Sequence, residues 1–241
     1  MSTALLVHSR RTAQQATVPF EQVVSLIARA SARDRFSELG FADPTAEHLL
    51  DDLEGAHAQV SEARLRATIL TTMAIDDVVR DFFYRNRGGI AIALYPGLCS
   101  RFSRIDDGEL SWVDIDTPDI AALKCATLPA PPRHAIAATC GCPRGWLNAI
   151  GSAGMPILFV HQGAARAADQ FAAHFDGIIR FAPVGSEYVL DYDARLPLRS
   201  SRTEAQPGCL EIPASDGSII RYPRAKLLAA ESPAVAHLRL V

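Results

Sequence analysis

Residues 89–118, GIAIALYPGLCSRFSRIDDGELSWVDIDTP, contain two short apolar runs separated by a polar segment. The runs at 89–95 and 110–114 are typical of buried strands, because strands of a parallel sheet are covered by helices on both faces. A glycine, Gly97, follows the first run, and an acidic residue, Asp114, closes the second. The stretch therefore predicts two parallel strands whose carboxyl ends carry Gly97 and Asp114.

The alternation of strand and helix continues toward the carboxyl terminus. Further apolar runs predict strands at 134–139, 156–161 and 187–191, and the segments between them predict helices at 118–126, 144–150 and 164–175. Right-handed crossovers between such strands produce a doubly wound sheet. The sequence thus predicts a Rossmann-like α/β fold, with a mostly parallel sheet and helices on both faces.

The two ends of the chain follow other patterns. Residues 1–87 are predicted to form a helical lid, because apolar residues such as Val23, Leu26 and Ala30 recur at helical spacing. Runs at 210–212 and 218–222 flank Asp216-Gly217, a dipeptide suited to a hairpin turn, which predicts an antiparallel hairpin at the sheet edge. We interpret residues 1–241 as one domain, with the α/β core at 88–241.

The composition excludes several classes of function. Of the 241 residues, 49% are hydrophobic and 21% are charged, which indicates a packed globular protein. The net charge of −3 gives no positive excess, so nucleic acid is not an expected partner. No run approaches the roughly 18 apolar residues of a membrane span, so we expect a cytoplasmic protein without a membrane partner. The oligomeric state stays open.

The cysteines predict neither a disulfide framework nor a metal site. Their number, five, is odd, and their spacing is irregular, so reduced thiols are expected. Cys140 and Cys142 form a close pair, but no second pair of ligands completes a zinc site. The sequence also lacks the motifs of phosphate-binding loops, zinc proteases and α/β-hydrolases.

Gly97 and Asp114 are the first candidates for a ligand site. A doubly wound sheet binds its ligand outside the carboxyl end of the first strand, where a glycine lets the backbone approach the ligand. A carboxylate at the end of the second strand can accept hydrogen bonds from both hydroxyls of a ribose, a role that we predict for Asp114. In the alternative interpretation, Asp114 is solvated and Asp116 or Thr117 caps the next helix.

The stretches IALYPGLCSRFSRI and SWVDIDTPDIAALK resemble the leucine carboxyl methyltransferase family, which includes polyketide O-methyltransferases. The positions in register with the family are Gly97, Leu98, Arg101, Arg104, Asp116, Pro118 and Lys124, and Asp114 takes the place of a family glutamate. The resemblance extends over residues 43–192. It implies a class I methyltransferase fold and S-adenosylmethionine as the cofactor.

The resemblance also implies a set of cofactor-binding positions, which here are Tyr95, Gly97, Arg101, Asp114, Ile115, Thr139, Cys140 and Gln162, and to these we add Arg66 as a candidate. Besides Asp114, three of these positions depart from the family pattern. Tyr95 replaces a glycine, while Cys140 and Gln162 replace acids. The family arginines that grip the methionine carboxylate align with residues 71–73, so Arg64 or Arg66, earlier on the same helix, is the candidate replacement.

Methyl transfer needs little catalytic machinery, because the cofactor carries the reactive group and proximity supplies most of the rate. The resemblance implies an acceptor carboxylate or hydroxyl on a small metabolite, a carrier-bound intermediate or a peptide. A carboxylate is already ionised near pH 7 and needs no general base. If a catalytic group is required, His161 is the candidate at the rim, although a structural hydrogen bond explains a histidine there equally well.

Tyr95 is the second catalytic candidate. Because side chains alternate along a strand and Leu94 is the better core residue, Tyr95 is expected to face the ligand cleft. The altered cofactor positions also leave a second interpretation open: the fold is repurposed as a non-methylating ligand-binding or partner protein, or as an enzyme of different chemistry.

Overall fold

The computed structural model describes residues 4–12, 14–129, 131–138, 147, 154–163, 175, 177–191, 199–200, 210–213, 219–222, 225–231 and 235–240. In chain order the strands are β1 (Ala4–Ser9), β2 (Gln15–Pro19), β3 (Leu53–Glu54), β4 (Ile90–Leu94), β5 (Ser111–Asp116), β6 (His134–Ala138), β7 (Ile157–His161), β8 (Glu187–Asp191), β9 (Arg199–Ser200), β10 (Leu210–Pro213), β11 (Ile219–Tyr222), β12 (Ala225–Glu231) and β13 (Val235–Leu240).

The helices are α1 (Phe20–Ala30), α2 (Ala32–Arg35), α3 (Pro44–Asp52), α4 (Glu62–Arg85), α5 (Arg101–Ile105) and α6 (Pro118–Thr127), and a 3-10 turn covers Ser37–Leu39. Residues 177–181 are also helical. Asp43 begins α3, where its carboxylate accepts a hydrogen bond of 3.0 Å from the Ala46 amide and Pro44 is the first helical residue.

Seven described strands form the central sheet in the order β12-β13-β8-β7-β4-β5-β6. Strands β4 to β8 run parallel, and β13 runs antiparallel to both β8 and β12. Among the parallel strands, β4 is the first along the chain, and it lies between β5 and β7. The predicted doubly wound, mostly parallel sheet is confirmed, and the five predicted strands of the core are found within two residues of their expected bounds.

Helices cover the sheet on both faces. On one face, Ile75 and Val79 of α4 pack against Ala91 and Ala93 of β4. On the other, the helical residues 178 and 179 pack against the opposite side of β4. The sequence also predicts helices at 144–150 and 164–175, but of these segments the structure describes only residues 147 and 175, both helical.

The prediction that residues 1–87 are helical is wrong for their first part. Strands β1, β2 and β3 form an antiparallel sheet in the order β2-β1-β3. Its buried side chains alternate with exposed ones, as Ala16 and Val18 do along β2, which is the period of a strand. The sheet packs against α6, where the Thr17 amide donates a hydrogen bond of 3.2 Å to Asp119 Oδ2.

The predicted carboxyl-terminal hairpin exists, but its predicted position is wrong. Strands β10 and β11 pair antiparallel within a separate three-stranded sheet, β11-β10-β9. The edge of the central sheet is formed instead by a second antiparallel pair, β12 and β13. The sequence signal of Asp216-Gly217 predicts only a local turn, whereas the sheet that a hairpin joins depends on long-range pairing.

Candidate functional site

The strand order of the central sheet reverses between β4 and β7. In open α/β sheets the crevice outside the carboxyl ends of the strands at such a reversal is where ligands bind. The loop at residues 95–100 follows the carboxyl end of β4, and α5 begins directly after it. The candidate site is built around this loop.

Gly97, at the centre of the loop, is hydrogen-bonded to Asp116, the last residue of β5. Gly97 has a φ of 57°, a left-handed conformation that favours glycine. Its amide donates a hydrogen bond of 2.7 Å to Asp116 Oδ2, and the Thr117 amide donates one of 2.9 Å to Oδ1. Asp116 is 1% exposed, and burial raises the pKa of its carboxyl group to about 6. The last residue of β5, Asp116, is thus a carboxylic acid with a pKa close to neutral pH.

The prediction that Asp114 closes the strand is wrong. Strand β5 continues to Asp116, and Asp114 is buried in its middle. Its carboxylate lies 2.6 Å from Lys124 Nζ, 2.8 Å from His134 Nε2 and 2.9 Å from Trp112 Nε1. Burial favours the neutral acid, but Lys124 and His134 outweigh it and lower the pKa of Asp114 to about 2. Asp114 is a structural ion, and the position predicted for it belongs to Asp116.

A cavity of about 130 Å³ opens beside this loop, between α1, α4 and the carboxyl ends of β4 and β7. Its lining includes three arginines, Arg29, Arg64 and Arg101, and two acids, Glu21 and Asp191. The remaining described lining residues are Gln22, Ser25, Ala67, Thr68, Thr71, Ala93, Pro96, Cys99, Val160, Gln162 and Gly163.

A buried network of charges lies directly beneath the cavity. Arg101 Nε donates a hydrogen bond of 2.6 Å to Asp76, and Arg29 Nε lies 3.2 Å from Asp43. Arg104 contacts both acids, at 2.7 Å from Asp76 and 2.9 Å from Asp43. Within this cluster three guanidinium groups meet two carboxylates, which leaves one positive charge in excess.

This excess charge acts on the titratable groups around it. Burial favours the neutral acid at Asp76, but Arg101 and Arg104 outweigh it and lower its pKa. Cys99 lines the cavity, and its pKa is lowered in the same way, since Arg101 and Arg29 outweigh its burial. The loop side of the cavity therefore favours anionic groups.

Gln162 and Arg101, two of the predicted cofactor-binding residues, meet in this cavity. Arg101 Nη2 donates a hydrogen bond of 2.7 Å to Gln162 Oε1, and Gln162 Nε2 donates one of 2.9 Å to Thr72 Oγ1. The amide thus links α5 to α4 through the end of β7. An amide can do so because it offers both a donor and an acceptor, which a glutamate carboxylate does not.

The prediction that Tyr95 faces the ligand cleft is wrong for this cavity, since its ring packs against the hydrophobic cluster on the opposite face of the sheet. Tyr95 has a φ of 47°, which breaks the alternation of side chains on which the prediction depended. Its ring lies 6.4 Å from that of His161, whose Nδ1 is 3.1 Å from Tyr188 Oη. His161 does not line the cavity either, and the structure places it in a structural hydrogen bond. Ile115 is buried in the same cluster, and its carbonyl accepts a hydrogen bond from the Tyr95 amide.

Arg66, a predicted cofactor-binding residue, does not line the cavity. Its guanidinium forms an ion pair with Glu38 on the exposed side of α4. Arg64 lines the cavity instead and forms an ion pair with Glu21 of α1. The two arginines are two residues apart, which turns their side chains by about 200° around a helix.

Several predictions concern residues outside the described part of the chain. Thr139, Cys140 and Cys142 are among these, so their assignment stays a prediction. Within the described ranges, no group of three potential metal ligands comes together. No helix in those ranges combines the length and the apolarity that a membrane crossing requires.

Three residues of the site were missed from the sequence: Asp116, Gln22 and Arg29. Asp116 had a usable signal, because Thr117-Pro118 marks the start of α6 and the strand could be extended to the residue before it. Gln22 and Arg29 come from α1, about 70 residues before the loop that they contact. Only the packing of α1 over the loop brings them there.

No protein-family model and no curated protein sequence matches this chain. Membership of the leucine carboxyl methyltransferase family therefore stays a prediction. Among solved structures, a magnesium protoporphyrin IX methyltransferase from Synechocystis with bound S-adenosylmethionine is 10% identical, with 90% of this chain and 97% of that chain covered and a TM-score of 0.45.

Two further solved structures share this degree of similarity. A sugar N-methyltransferase from Streptoalloteichus is 9% identical, with 70% of this chain and 86% of that chain covered and a TM-score of 0.41. An N-methyltransferase from Bradyrhizobium japonicum is 10% identical, with 70% and 95% covered and a TM-score of 0.39.

Proposed function

We propose that this protein is an S-adenosylmethionine-dependent methyltransferase whose cofactor binds outside the carboxyl ends of β4 and β5. The observation that carries the proposal is the pairing of Gly97 with Asp116 at the ends of β4 and β5, next to the point where the strand order reverses. A glycine turn and a carboxylate at these two strand ends are the arrangement that suits a nucleoside. The sequence block that contains both residues is also the one that resembles the methyltransferase family.

Asp116 fits a ribose by its hydrogen-bonding capacity. An ionised carboxylate offers about four lone-pair sites, and Asp116 uses two of them for backbone amides. The remaining capacity suits the two hydroxyls of a ribose. Because hydroxyl donors stabilise the ionised form, a bound nucleoside would lower the raised pKa of this group.

The arginines of the cavity fit the amino-acid part of the cofactor. Arg29, Arg64 and Arg101 all line it, and the buried cluster beneath it carries an excess positive charge. Guanidinium groups suit carboxylates in geometry and charge. S-adenosylmethionine has one carboxylate at the end opposite its nucleoside, and when bound it supplies an electrophilic methyl group. The donor set thus fits both ends of this molecule.

The proposed acceptor is a carboxylate or hydroxyl of a specialised metabolite, a carrier-bound intermediate or a peptide, as the resemblance implies. A carboxylate is the better match to the observed site. It is ionised near pH 7 and needs no general base. The two predicted catalytic residues, Tyr95 and His161, lie away from the cavity, which agrees with a reaction driven by proximity alone.

Isothermal titration with S-adenosylmethionine and S-adenosylhomocysteine tests the proposal. We expect binding tighter than about 100 μM, which corresponds to about −5.5 kcal/mol. Asp116→Asn should weaken this binding, and Asp34→Asn, which removes an exposed carboxylate from α2, should leave it unchanged. Absence of heat together with absence of a thermal shift would reject the cofactor assignment.

A second function is favoured by one observation, the small size of the cavity. Ligand pockets usually measure about 300–1,000 Å³, and this cavity measures about 130 Å³. A cavity of this volume suits a ligand smaller than S-adenosylmethionine. The second candidate function is therefore the binding of such a ligand, or of a partner, without methyl transfer. The titration separates the two functions, because only the methyltransferase requires the whole cofactor to bind.

A further inference from the structure

Gln22 of α1 fills the space above Gly97. A Cβ atom added to Gly97 would lie 2.2 Å from both Cδ and Oε1 of Gln22, and 2.7 Å from its Cγ. The carboxamide therefore lies directly against the glycine, on the side where a ligand would approach the loop. Gln22 also lines the cavity, so its side chain takes up volume that a ligand would otherwise use.

The carboxamide of Gln22 is weakly held in this position. Its Nε2 donates one hydrogen bond to the Tyr95 carbonyl, and the distance of 3.3 Å is long for such a bond. Its Oε1 is buried, and no donor within the described residues satisfies it. A buried acceptor without a donor costs free energy. In the described part of the chain, the hydrogen bond to the Tyr95 carbonyl is therefore the one polar contact that opposes rotation of the side chain.

The helix that carries Gln22 is held firmly at its other end. Arg29 Nη2 donates a hydrogen bond of 2.7 Å to the Leu98 carbonyl, and its guanidinium also contacts Asp43. Arg29 is 1% exposed and lies two turns after Gln22. Movement of α1 as a whole would break these buried contacts. Rotation of the Gln22 side chain would break only the bond to Tyr95.

We infer that the Gln22 side chain occupies part of the cofactor position above Gly97 and must rotate away before the cofactor binds. This inference rests on the proposed function. It accounts for the small cavity, because the volume measured beside Gly97 is that of the blocked site. Gln22 thereby sets the affinity for the cofactor, since each binding event includes the displacement of its carboxamide.

Titration of S-adenosylhomocysteine into Gln22→Ala, Gln22→Met and the unchanged protein tests the inference. Alanine removes the blocking atoms and keeps the helix, so we expect binding to tighten by about twofold to tenfold, the equivalent of one neutral hydrogen bond. Methionine keeps the volume of the side chain and should not tighten binding. Gln15→Ala, which removes an exposed glutamine from β2, is the matched control and should have no effect.

A second measurement does not depend on the cofactor. Cys99 lines the same cavity, so its alkylation by iodoacetamide, followed by peptide mass spectrometry, should be faster in Gln22→Ala than in the control. Measurable but equal binding by the unchanged protein and Gln22→Ala would overturn the role of Gln22 and leave the proposed function standing. Weaker binding by Gln22→Ala would also overturn it, because Gln22 would then be a ligand contact. Failure of every variant to bind would overturn both.

Discussion

Replacement of Asp114 by asparagine should destabilise the fold rather than the ligand site. The side chain of Lys124 is fully buried, and its Nζ lies 2.6 Å from Asp114 Oδ2. Asparagine keeps the shape of the side chain but removes its charge, so the ammonium of Lys124 is left buried without its counter-ion. Breaking a buried pair in this way costs about 3–5 kcal/mol, a large part of the roughly 5–15 kcal/mol of a typical domain.

Urea unfolding followed by circular dichroism at about pH 7 measures this effect. With a slope of about 3 kcal/mol per molar urea, the expected loss lowers the midpoint by about 1–1.7 M. Asp34→Asn, at an exposed position, is the matched control. A midpoint for Asp114→Asn within about 0.3 M of the unchanged protein, together with a tenfold loss of cofactor affinity, would refute the structural role and restore the ribose role.

The pH dependence of stability gives a second check on Asp114. Its pKa is about 2 in the folded protein, below the ordinary aspartate value of 3.8. A carboxyl group whose pKa is lower in the folded protein than in the unfolded chain stabilises the fold. This stabilisation is present when the pH is above the pKa of the unfolded chain, and it is lost as the pH falls through the pKa of the folded protein. The unchanged protein should therefore lose about 2 kcal/mol from this group between about pH 4 and pH 2. Asp114→Asn should lack this part of the acid dependence.

Three further predictions concern the candidate site. Because the pKa of Asp116 is about 6, affinity for S-adenosylhomocysteine by titration calorimetry should rise about tenfold from about pH 5 to pH 7, and Asp116→Asn should abolish this rise. Gly97→Ala should abolish binding and lower the urea midpoint, because alanine resists the φ of 57° and its Cβ meets Gln22; retention of both would contradict the geometry. Arg64→Gln should weaken binding while Arg66→Gln does not, and equal effects would contradict the placement of these two arginines.

The core of the fold was predictable because its strands are buried on both faces. All five residues of β4 are buried, so the strand reads as an unbroken apolar run. The amino-terminal sheet was not predicted, although Ala16 and Val18 alternate with polar residues along β2. A short hairpin is marginally stable by itself, and this one is stabilised by α6, through contacts such as Thr17 to Asp119. Because Thr17 and Asp119 are about 100 residues apart in the sequence, no local sequence pattern predicts their contact.

The exchange of roles between Asp114 and Asp116 has a similar cause. Both acids lie in the block that resembles the methyltransferase family, and the sequence offers either of them as the last residue of the strand. Pairing of β5 with β6 determines where the strand ends, because the paired residues extend to Asp116 and Ala138. The pairing buries Asp114 two residues inside the strand, on the same side as Asp116 but next to Lys124. Strand ends are set by neighbouring strands, and the neighbours are distant in sequence.

The contribution of α1 to the site can be recognised in the sequence from its polar residues, although the apolar residues alone do not indicate it. The apolar residues of the helix predict that it is amphipathic, but Gln22, Ser25 and Arg29 recur at spacings of three and four among them, and all three line the cavity. Arg29 is buried on this face, where a charged residue requires a partner. A polar stripe that runs beside the apolar face of a helix, and that includes a buried charge, therefore faces an internal cavity rather than solvent. The position of Gln22 above Gly97 follows from that stripe, because the contact of Arg29 with the Leu98 carbonyl fixes how the helix lies across the loop.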